Sequence, residues 1–596
     1  MDMELTAELL VDAPQLADVH LSPDGRRATY VVKKGTRSAI WVNGDRFSWG
    51  EGADDHPRWS PDGRALAFRS DRAGKPQIFL LPAAGGGEAR QLTDDPSGVQ
   101  AFAWSPAGSH LAFTSPDPQE PPDPFVEGEE LAFCRLRRVA TDSGQVETLF
   151  AEPRNVGAFA WSPDGSDLAF VACASPDLEA RAHPCTVETT AGRVLARLPA
   201  APGHLRWLAA GIFYTGSVAM APCSSSCLYR LDSGTRVAGG EQDCLMDLCG
   251  DGPGDLAVTL AQGLSSRLVR LDPATGAATS IHAPVSGECE LRDATVVGEH
   301  WAAVQISGDR PPEICIDGRS VARHGFVDIA WGRQEPFLWK GADGLALDGV
   351  LTLPPSARKT PLPMICLVHG GPYGRVTPGI QPAGGRAADW GQWLASAGYA
   401  VLQPNYRGGM GHGDAFAAAA RGRVGREDWQ DVLSSVDAAV ERGIADPARL
   451  GIGGWSQGGF MSAWAVTQSS RFRAAVVGAG VSDWNAMVVN SDLPTFEAAL
   501  GGSRPWDGSG PHPAALISPI SFARAARTPT LILHGREDAR VPVNQATGLY
   551  RALLDAGCPA EMAVYPREPH GFRERAHLLD VLRRVRTWYG RHMGGS

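Results

Sequence analysis

Gly454-Trp455-Ser456-Gln457-Gly458-Gly459 stands between an apolar run at 450–453 and a segment of helical character at 457–468. That is the setting of a strand-turn-helix elbow with a serine at its apex. Flanking glycines relieve crowding in such a turn. The free N–H groups at the helix N-terminus favour negative charge developing beside the hydroxyl. A serine hydroxyl alone is a poor nucleophile: it needs an imidazole to take its proton, and the imidazole needs a carboxylate to fix its tautomer and stabilise its cation. Asp538 follows the apolar run that ends at His534-Gly535, and His570 follows the one that ends at Tyr565-Pro566. The order Ser456, Asp538, His570, with separations of 82 and 32 residues, sets each at the carboxyl end of a different strand. Asp483, after another apolar run, is the rival acid. The chemistry these residues could perform is acyl transfer through a serine ester.

His369-Gly370-Gly371-Pro372 follows the apolar run 364–368. Two glycines there let backbone N–H groups approach a substrate closely. The amides of Gly371 and Gln457 are expected to form an oxyanion hole, each donor contributing about 3–4 kcal/mol in the transition state. His369 is read as tying down its own loop and positioning Gly371 without touching substrate. Arg540 stands two residues after the acid, where a guanidinium can donate to a peptide carbonyl or pair with Glu537 or Glu568. Trp484, Met487, Val488 and Phe496 are candidates for an apolar specificity pocket, with ordinary core packing as the alternative for each.

These residues need a scaffold. From about residue 335 apolar runs at 364–368, 399–404, 450–453, 474–477, 530–534 and 561–565 alternate with helical stretches at 427–442, 457–468, 544–556 and 577–590. Strand–helix alternation predicts a mostly parallel, doubly wound α/β sheet covered on both faces, with function at the carboxyl ends of the strands. The first part reads differently. Ser22-Pro23-Asp24-Gly25 recurs at Ser60, Ser105 (with Ala107 for Asp) and Ser162, at spacings of 38, 45 and 57 residues, three times preceded by Trp59, Trp104 and Trp161. Pro fixes φ, Asp bonds back to its own backbone and Gly takes the left-handed position, which makes a hairpin turn. Short strands at periods of about 45 residues predict a β-propeller of about seven blades. After residue 200 the motif fades, and strand pairs are expected near 204–217, 242–260 and 290–306. The expected organisation is an N-terminal segment, 1–15, packing on the second domain, a propeller at 16–325, and an α/β-hydrolase domain at 326–596.

Composition narrows the rest. The 596 residues carry 55 Lys and Arg against 66 Asp and Glu, a net charge of −11, which argues against a nucleic-acid partner. The acidic N-terminus lacks the basic and apolar regions of a secretory leader, and no apolar run is long enough to span a bilayer, so no membrane partner and a cytoplasmic location are expected. The 11 Cys lack metal-like spacing. They read as buried thiols of a reducing compartment, with local disulfides at Cys223/Cys227 or Cys244/Cys249 as the alternative, and no metal or other cofactor is expected.

Taken together, HGGP (369–372), NYRGGMGHG (405–413), GIGGWSQGGFM (451–461), LHGREDARVP (533–542) and YPREPHGF (565–572) resemble the prolyl oligopeptidase family of serine peptidases. The resemblance extends over essentially the whole chain and is nearest to acylaminoacyl-peptidase and dipeptidyl-peptidase-like members. It implies a seven-bladed propeller over an α/β-hydrolase domain, Ser456, Asp538 and His570 as the triad, Gly371 and Gln457 as oxyanion donors, and Arg540 on a substrate carbonyl. Two departures stand out: Gln457 replaces the Tyr that often follows the nucleophile, and His369 replaces a Tyr that several members use in the oxyanion hole. Dipeptidyl-peptidase-like members grip a free substrate amine with propeller carboxylates. Glu127, Glu129 and Glu130 are candidates for that role here, with a solvated acidic loop as the alternative, and Arg135, Arg137 and Arg138 follow them. The expected activity is hydrolysis of short peptides or acyl-peptides. An esterase or amidase for small molecules, including peptidyl antibiotics, is the alternative, and a non-catalytic propeller binding protein the third. A homo-oligomer is possible.

Overall fold

The computed structural model describes residues 3–85, 87–119, 132–283, 289–325, 329–355, 361–380 and 390–594. The Ser-Pro-Asp-Gly repeats fold as the sequence requires. In the first, the Ser22 hydroxyl donates to Asp24 Oδ1 at 2.5 Å and the Gly25 N–H to the Ser22 carbonyl at 2.8 Å. Gly25, Gly63, Gly108 and Gly165 all take φ of 70–72°. Each turn joins the innermost strand of a blade to the next strand. The tryptophans do more than anchor their own strand. Trp104 and Trp161 donate their indole N–H groups to carbonyls of the preceding blade, Arg58 and Ala103, at 3.0 and 3.2 Å.

Seven four-stranded antiparallel sheets result, at residues 15–46, 54–91, 101–150, 155–198, 205–238, 244–282 and 289–323. This is a seven-bladed β-propeller. The expected strand pairs after residue 200 appear as Leu205–Leu208 with Gly211–Ser217, Cys244–Leu248 with Ala257–Gln262, and Cys289–Val297 with His300–Ser307. Every blade is a continuous piece of chain, so no strand is shared across the closure. The last blade packs on the first through Val304, Ile306 and Ile314 against Val19, Leu21 and Tyr30. The Asp18 N–H also donates to Asp293 Oδ2 at 2.7 Å.

The second domain is built on one eight-stranded sheet. Its strands, in chain order, are β1 (Arg333–Lys340), β2 (Ala346–Leu353), β3 (Leu362–Val368), β4 (Ala400–Asn405), β5 (Ala445–Trp455), β6 (Ala474–Gly478), β7 (Thr530–Gly535) and β8 (Ala560–Tyr565). They lie in the order 1-2-4-3-5-6-7-8, antiparallel at β1–β2 and β2–β4 and parallel beyond. That is an α/β-hydrolase sheet. Helices Glu427–Glu441, Gln457–Gln468 and Asn544–Asp555 bury Val432, Phe460 and Leu549 on one side of it. Gly391–Ser396 and Arg575–Met593 bury Trp393, Leu582 and Val585 on the other.

The N-terminal helix Ala7–Val11 belongs to that second apolar layer. Leu10 and Val11 join Leu578, Leu579 and Leu582 of the C-terminal helix, and Asp12 pairs with Arg575 at 2.6 Å. All 11 cysteines are buried thiols, Cys223, Cys227, Cys244 and Cys249 among them. No helix among the described residues is long and apolar enough to cross a membrane.

Leu10 is 1% exposed. Leu10→Ala is expected to remove about 2–5 kcal/mol of packing and to lower the calorimetric midpoint of thermal unfolding. An unchanged midpoint would show that the terminal helix is not part of the folded core.

Candidate active site

The parallel strands carry their chemistry-bearing residues to one edge of the sheet. Ser456 directly follows β5 and caps the helix Gln457–Gln468, with φ 60° and ψ −119°. Positive φ at a non-glycine residue is strained by about 1–3 kcal/mol, and surrounding structure must hold it. The Ser456 N–H donates to the Gly478 carbonyl of β6 at 2.9 Å. A Cβ on Gly458 would stand 2.0 Å from the Val368 carbonyl, so only glycine permits the helix start to press against the end of β3.

Asp538 leaves the end of β7. Its carboxylate is fully buried, Oδ1 accepting the Val541 N–H at 2.8 Å and Oδ2 meeting His570 Nδ1 at 2.7 Å. The carboxylate can only accept, so Nδ1 carries the proton and Nε2 is left with its lone pair free to act as a base. The His570 side chain is 28% exposed. Its loop is fastened at two points: the Trp455 indole donates to the His570 carbonyl at 3.0 Å, and the buried Glu568 carboxylate accepts from the N–H groups of Arg573 and Glu574 and from His577 at 2.7–2.9 Å. Trp455 precedes Ser456, so one indole ties the serine elbow to the histidine loop. Asp483 is occupied elsewhere, its Oδ1 capping the helix Trp484–Asn490 through Asn485 N–H at 2.9 Å.

The segment 369–380 passes beside the elbow. Gly370 lies so close that an added Cβ would be 3.4 Å from Ser456 Cβ, and Gly371 is exposed with φ 132°. Gln457 is buried and begins its helix, where the first N–H groups have no acceptor within the helix. His369 donates from Nδ1 to the Gly370 carbonyl at 2.8 Å and stacks on Tyr406 at 4.4 Å between ring centroids. Burial pushes its imidazole down to about 4, so the ring is neutral.

Several residues of this segment's support were not anticipated. Asn405 holds it from β4, accepting the Val376 N–H at 2.7 Å and donating to Asp348 Oδ1 at 2.7 Å. The propeller holds it from the other side. Arg375 Nη1 donates to the carbonyls of Gly263 and Ser265, both at 2.7 Å, and Nη2 to Ser266 Oγ at 2.8 Å. The Tyr373 hydroxyl accepts the Ser226 N–H at 2.7 Å, and Thr377 donates to the buried Glu290 at 3.0 Å. The glycine-rich motif 405–413 gave the signal for Asn405; the arginine contacts join residues more than 100 positions apart.

The candidate substrate-binding residues fare unevenly. Arg540 pairs with neither Glu537 nor Glu568 but with Asp492, Nε to Oδ1 at 2.6 Å. Trp484 is fully buried, edge-on to Phe460 at 5.3 Å, and Met487 and Val488 are buried with it. Phe496 is half-buried. Glu127, Glu129 and Glu130 lie outside the described residues. Arg135 bonds Asp117 at 2.7 Å, Arg137 stands 3.6 Å from Asp95, and Arg138 bonds Glu147 at 2.7 Å, so the three arginines are neutralised within their own blade region.

Residues 390–596 match the model of the prolyl oligopeptidase family. That stretch, about the last third of the chain, is similar to the peptidase domain of that family. An uncharacterised peptidase of Bacillus subtilis is 28% identical to it over 99% of both chains. Among solved structures, the acylaminoacyl peptidase of Pyrococcus horikoshii superposes with a TM-score of 0.83 at 22% identity, covering 99% of this chain and 98% of that one. A puromycin-hydrolyzing peptidase of Mycobacterium tuberculosis gives 0.73 at 21% identity over 100% and 97%. At these identities the superpositions speak for the fold: propeller and hydrolase domain are arranged alike.

Two predictions follow from the way the 369–380 segment is held. Arg375→Ala removes its ties to the propeller and is expected to lower kcat for a peptide anilide by about 10–100-fold with little change in KM, since small displacements near the reacting atoms cost that much. Unchanged steady-state constants would refute the link. His369 gives a pH dependence. Its folded value of about 4 is depressed from 6.5, so the unfolded chain binds the extra proton first. Its contribution to stability is therefore complete above about pH 6.5 and is lost as pH falls toward 4. Thermal midpoints of the wild type should fall across that window more steeply than those of His369→Gln; parallel curves would count against a buried neutral imidazole.

Proposed function

We propose that this serine peptidase hydrolyses short peptides through Ser456, His570 and Asp538. The observation that carries the reading is the 2.7 Å contact between His570 Nδ1 and the buried Asp538 carboxylate, on a loop that Trp455 joins to the strained Ser456 elbow. In the proposed reaction the Ser456 hydroxyl attacks the scissile carbonyl and its proton passes to His570 Nε2. The N–H groups of Gly371 and Gln457 bind the oxyanion. Collapse of the tetrahedral intermediate breaks the C–N bond, and His570 returns the proton to the leaving amine. A water then repeats the sequence on the acyl-enzyme.

The propeller lies against the 369–380 segment, and that favours small or extended chains over folded proteins as substrates. Similarity to that family supports the same reading. The alternative, an esterase for small molecules, uses the same atoms and differs only in what is bound.

Ser456→Ala and His570→Ala are each expected to reduce kcat by about 10⁴-fold or more. A fluorophosphonate should label the wild type at Ser456 and leave Ser456→Ala unlabelled. Peptidyl anilides should be hydrolysed by the wild type and not by Ser456→Ala, and a folded protein should remain intact. Failure of folded wild-type protein to react with the probe would overturn the triad. Ester turnover with no peptide hydrolysis would overturn the substrate class.

A further inference from the structure

Tyr406 follows β4 as His369 follows β3, and the two strands are parallel neighbours, with Cys366 opposite Leu402. The strand ends thus set the two residues side by side. Tyr406 is fully buried and holds His369 in two ways. Its hydroxyl donates to the His369 carbonyl at 2.8 Å, and its ring lies against the imidazole, with 4.4 Å between centroids and 17° between the planes. Burial pushes the phenol well above its ordinary value, so it stays a donor. Tyr406 is itself fixed from both flanks. Asn405 accepts the Val376 N–H at 2.7 Å, and the Arg407 N–H donates to the buried Asp431 carboxylate at 3.0 Å.

What Tyr406 holds bears on a proposed oxyanion donor. A peptide unit is planar, and in its trans form the N–H points away from the C=O. Whatever fixes the Gly370 carbonyl therefore fixes the direction of the Gly371 N–H. That carbonyl meets His369 Nδ1 at 2.8 Å. A carbonyl can only accept, so Nδ1 carries the proton, and the buried Nε2 has no hydrogen-bond partner among the described residues. The imidazole thus has one polar tie, and the Tyr406 ring sets the plane in which that tie can form. Among the described residues nothing accepts the Gly371 N–H.

We infer that Tyr406 is a positioning residue for the oxyanion hole: by clamping His369 through its hydroxyl and its ring, it aims the Gly371 N–H at the developing oxyanion. It acts through His369 and the Gly370 carbonyl, without contact to the reacting atoms. The donor is needed most in the transition state, so loss of its aim is felt in kcat rather than in KM. This inference rests on the proposed peptidase reading.

The test measures Tyr406→Phe, which keeps the ring and removes the hydroxyl, on a peptidyl anilide. kcat should fall about 10–100-fold with KM within about twofold of wild type. A peptidyl boronic acid, whose tetrahedral adduct with Ser456 presents an oxygen to the hole, should bind more weakly by a similar factor. The product peptide acid should bind as it does to wild type. Variants of the clamped residue separate aim from bulk. His369→Asn places a donor near the position of Nδ1 and should retain more kcat than His369→Leu, and adding Tyr406→Phe to His369→Leu should cost little more. The comparison of His369→Asn with His369→Leu is decisive if Tyr406→Phe is not folded by circular dichroism. A lowered thermal midpoint with unchanged kcat, a raised KM with unchanged kcat, or equal kcat in His369→Asn and His369→Leu would overturn the assignment. Absence of fluorophosphonate labelling in folded wild type would instead overturn the reading on which it rests.

Discussion

The geometry of the candidate site depends on one constraint: the chain must be held at positive φ at Ser456 while two other loops reach it from neighbouring strands. Helix propensity contributes little to that turn. It is held by close packing, with Gly458 against the Val368 carbonyl and the Ser456 N–H bonded to Gly478. Trp455 extends the constraint outward through its bond to the His570 carbonyl. The strained serine, the histidine loop and the end of β3 thus form one mechanical unit. A shift in any of them is transmitted to the others, which explains why the neighbourhood is rich in glycine and poor in side chains that would need their own space.

The propeller enters this unit rather than merely lying over it. Arg375 is half-buried, and desolvation weakens its hold on its proton; Glu290 opposes that effect, and three propeller oxygens share its terminal donors. A guanidinium held through both terminal nitrogens resists displacement, because moving it strips a charge of its hydrogen bonds within the interface. Tyr373 and Thr377 add neutral bonds on either side of it. The segment bearing Gly371 is therefore positioned jointly by β4, through Asn405, and by the fifth to seventh blades. Without the propeller contacts, one of the two proposed oxyanion donors would lose half of its support.

Much of this could be read from residue order. Blade turns were legible because Ser, Pro, Asp and Gly each act through local bonds, and the structure repeats those bonds from turn to turn. The later blades lack the motif, yet their strands fall where alternation placed them. Strands β1 and β2 were missed. In β1 charged residues interrupt the apolar ones, as suits an edge strand, and antiparallel pairing does not produce the strand–helix rhythm. The residues near 484 were ambiguous for a different reason: an apolar side chain after a strand is equally suited to a pocket or to a core, and only the fold of the following helices buries Trp484. Asp483 looked like an acid for catalysis and is a helix cap, a role that depends on backbone geometry two residues later. Long-range ion pairs such as Arg540 with Asp492 carry no signal in a single sequence, since either partner has several acids or bases within plausible reach.

The same reasoning bears on where negative charge collects. Along the 369–380 side of the site, Glu290 lies with Arg292 and Arg375, and Arg407 with Asp343 and Asp431. Along the 492–497 side, Arg540 pairs with Asp492. The helix Pro494–Gly501 is held at both ends, by Glu179 accepting the Thr495 N–H and by the Gly422 N–H donating to the Ala499 carbonyl at 2.8 Å, and it keeps Glu497 inward. The two sides are thus held by different means: side-chain bonds from Arg375, Tyr373 and Thr377 on one, main-chain anchors to Glu179 and Gly422 on the other.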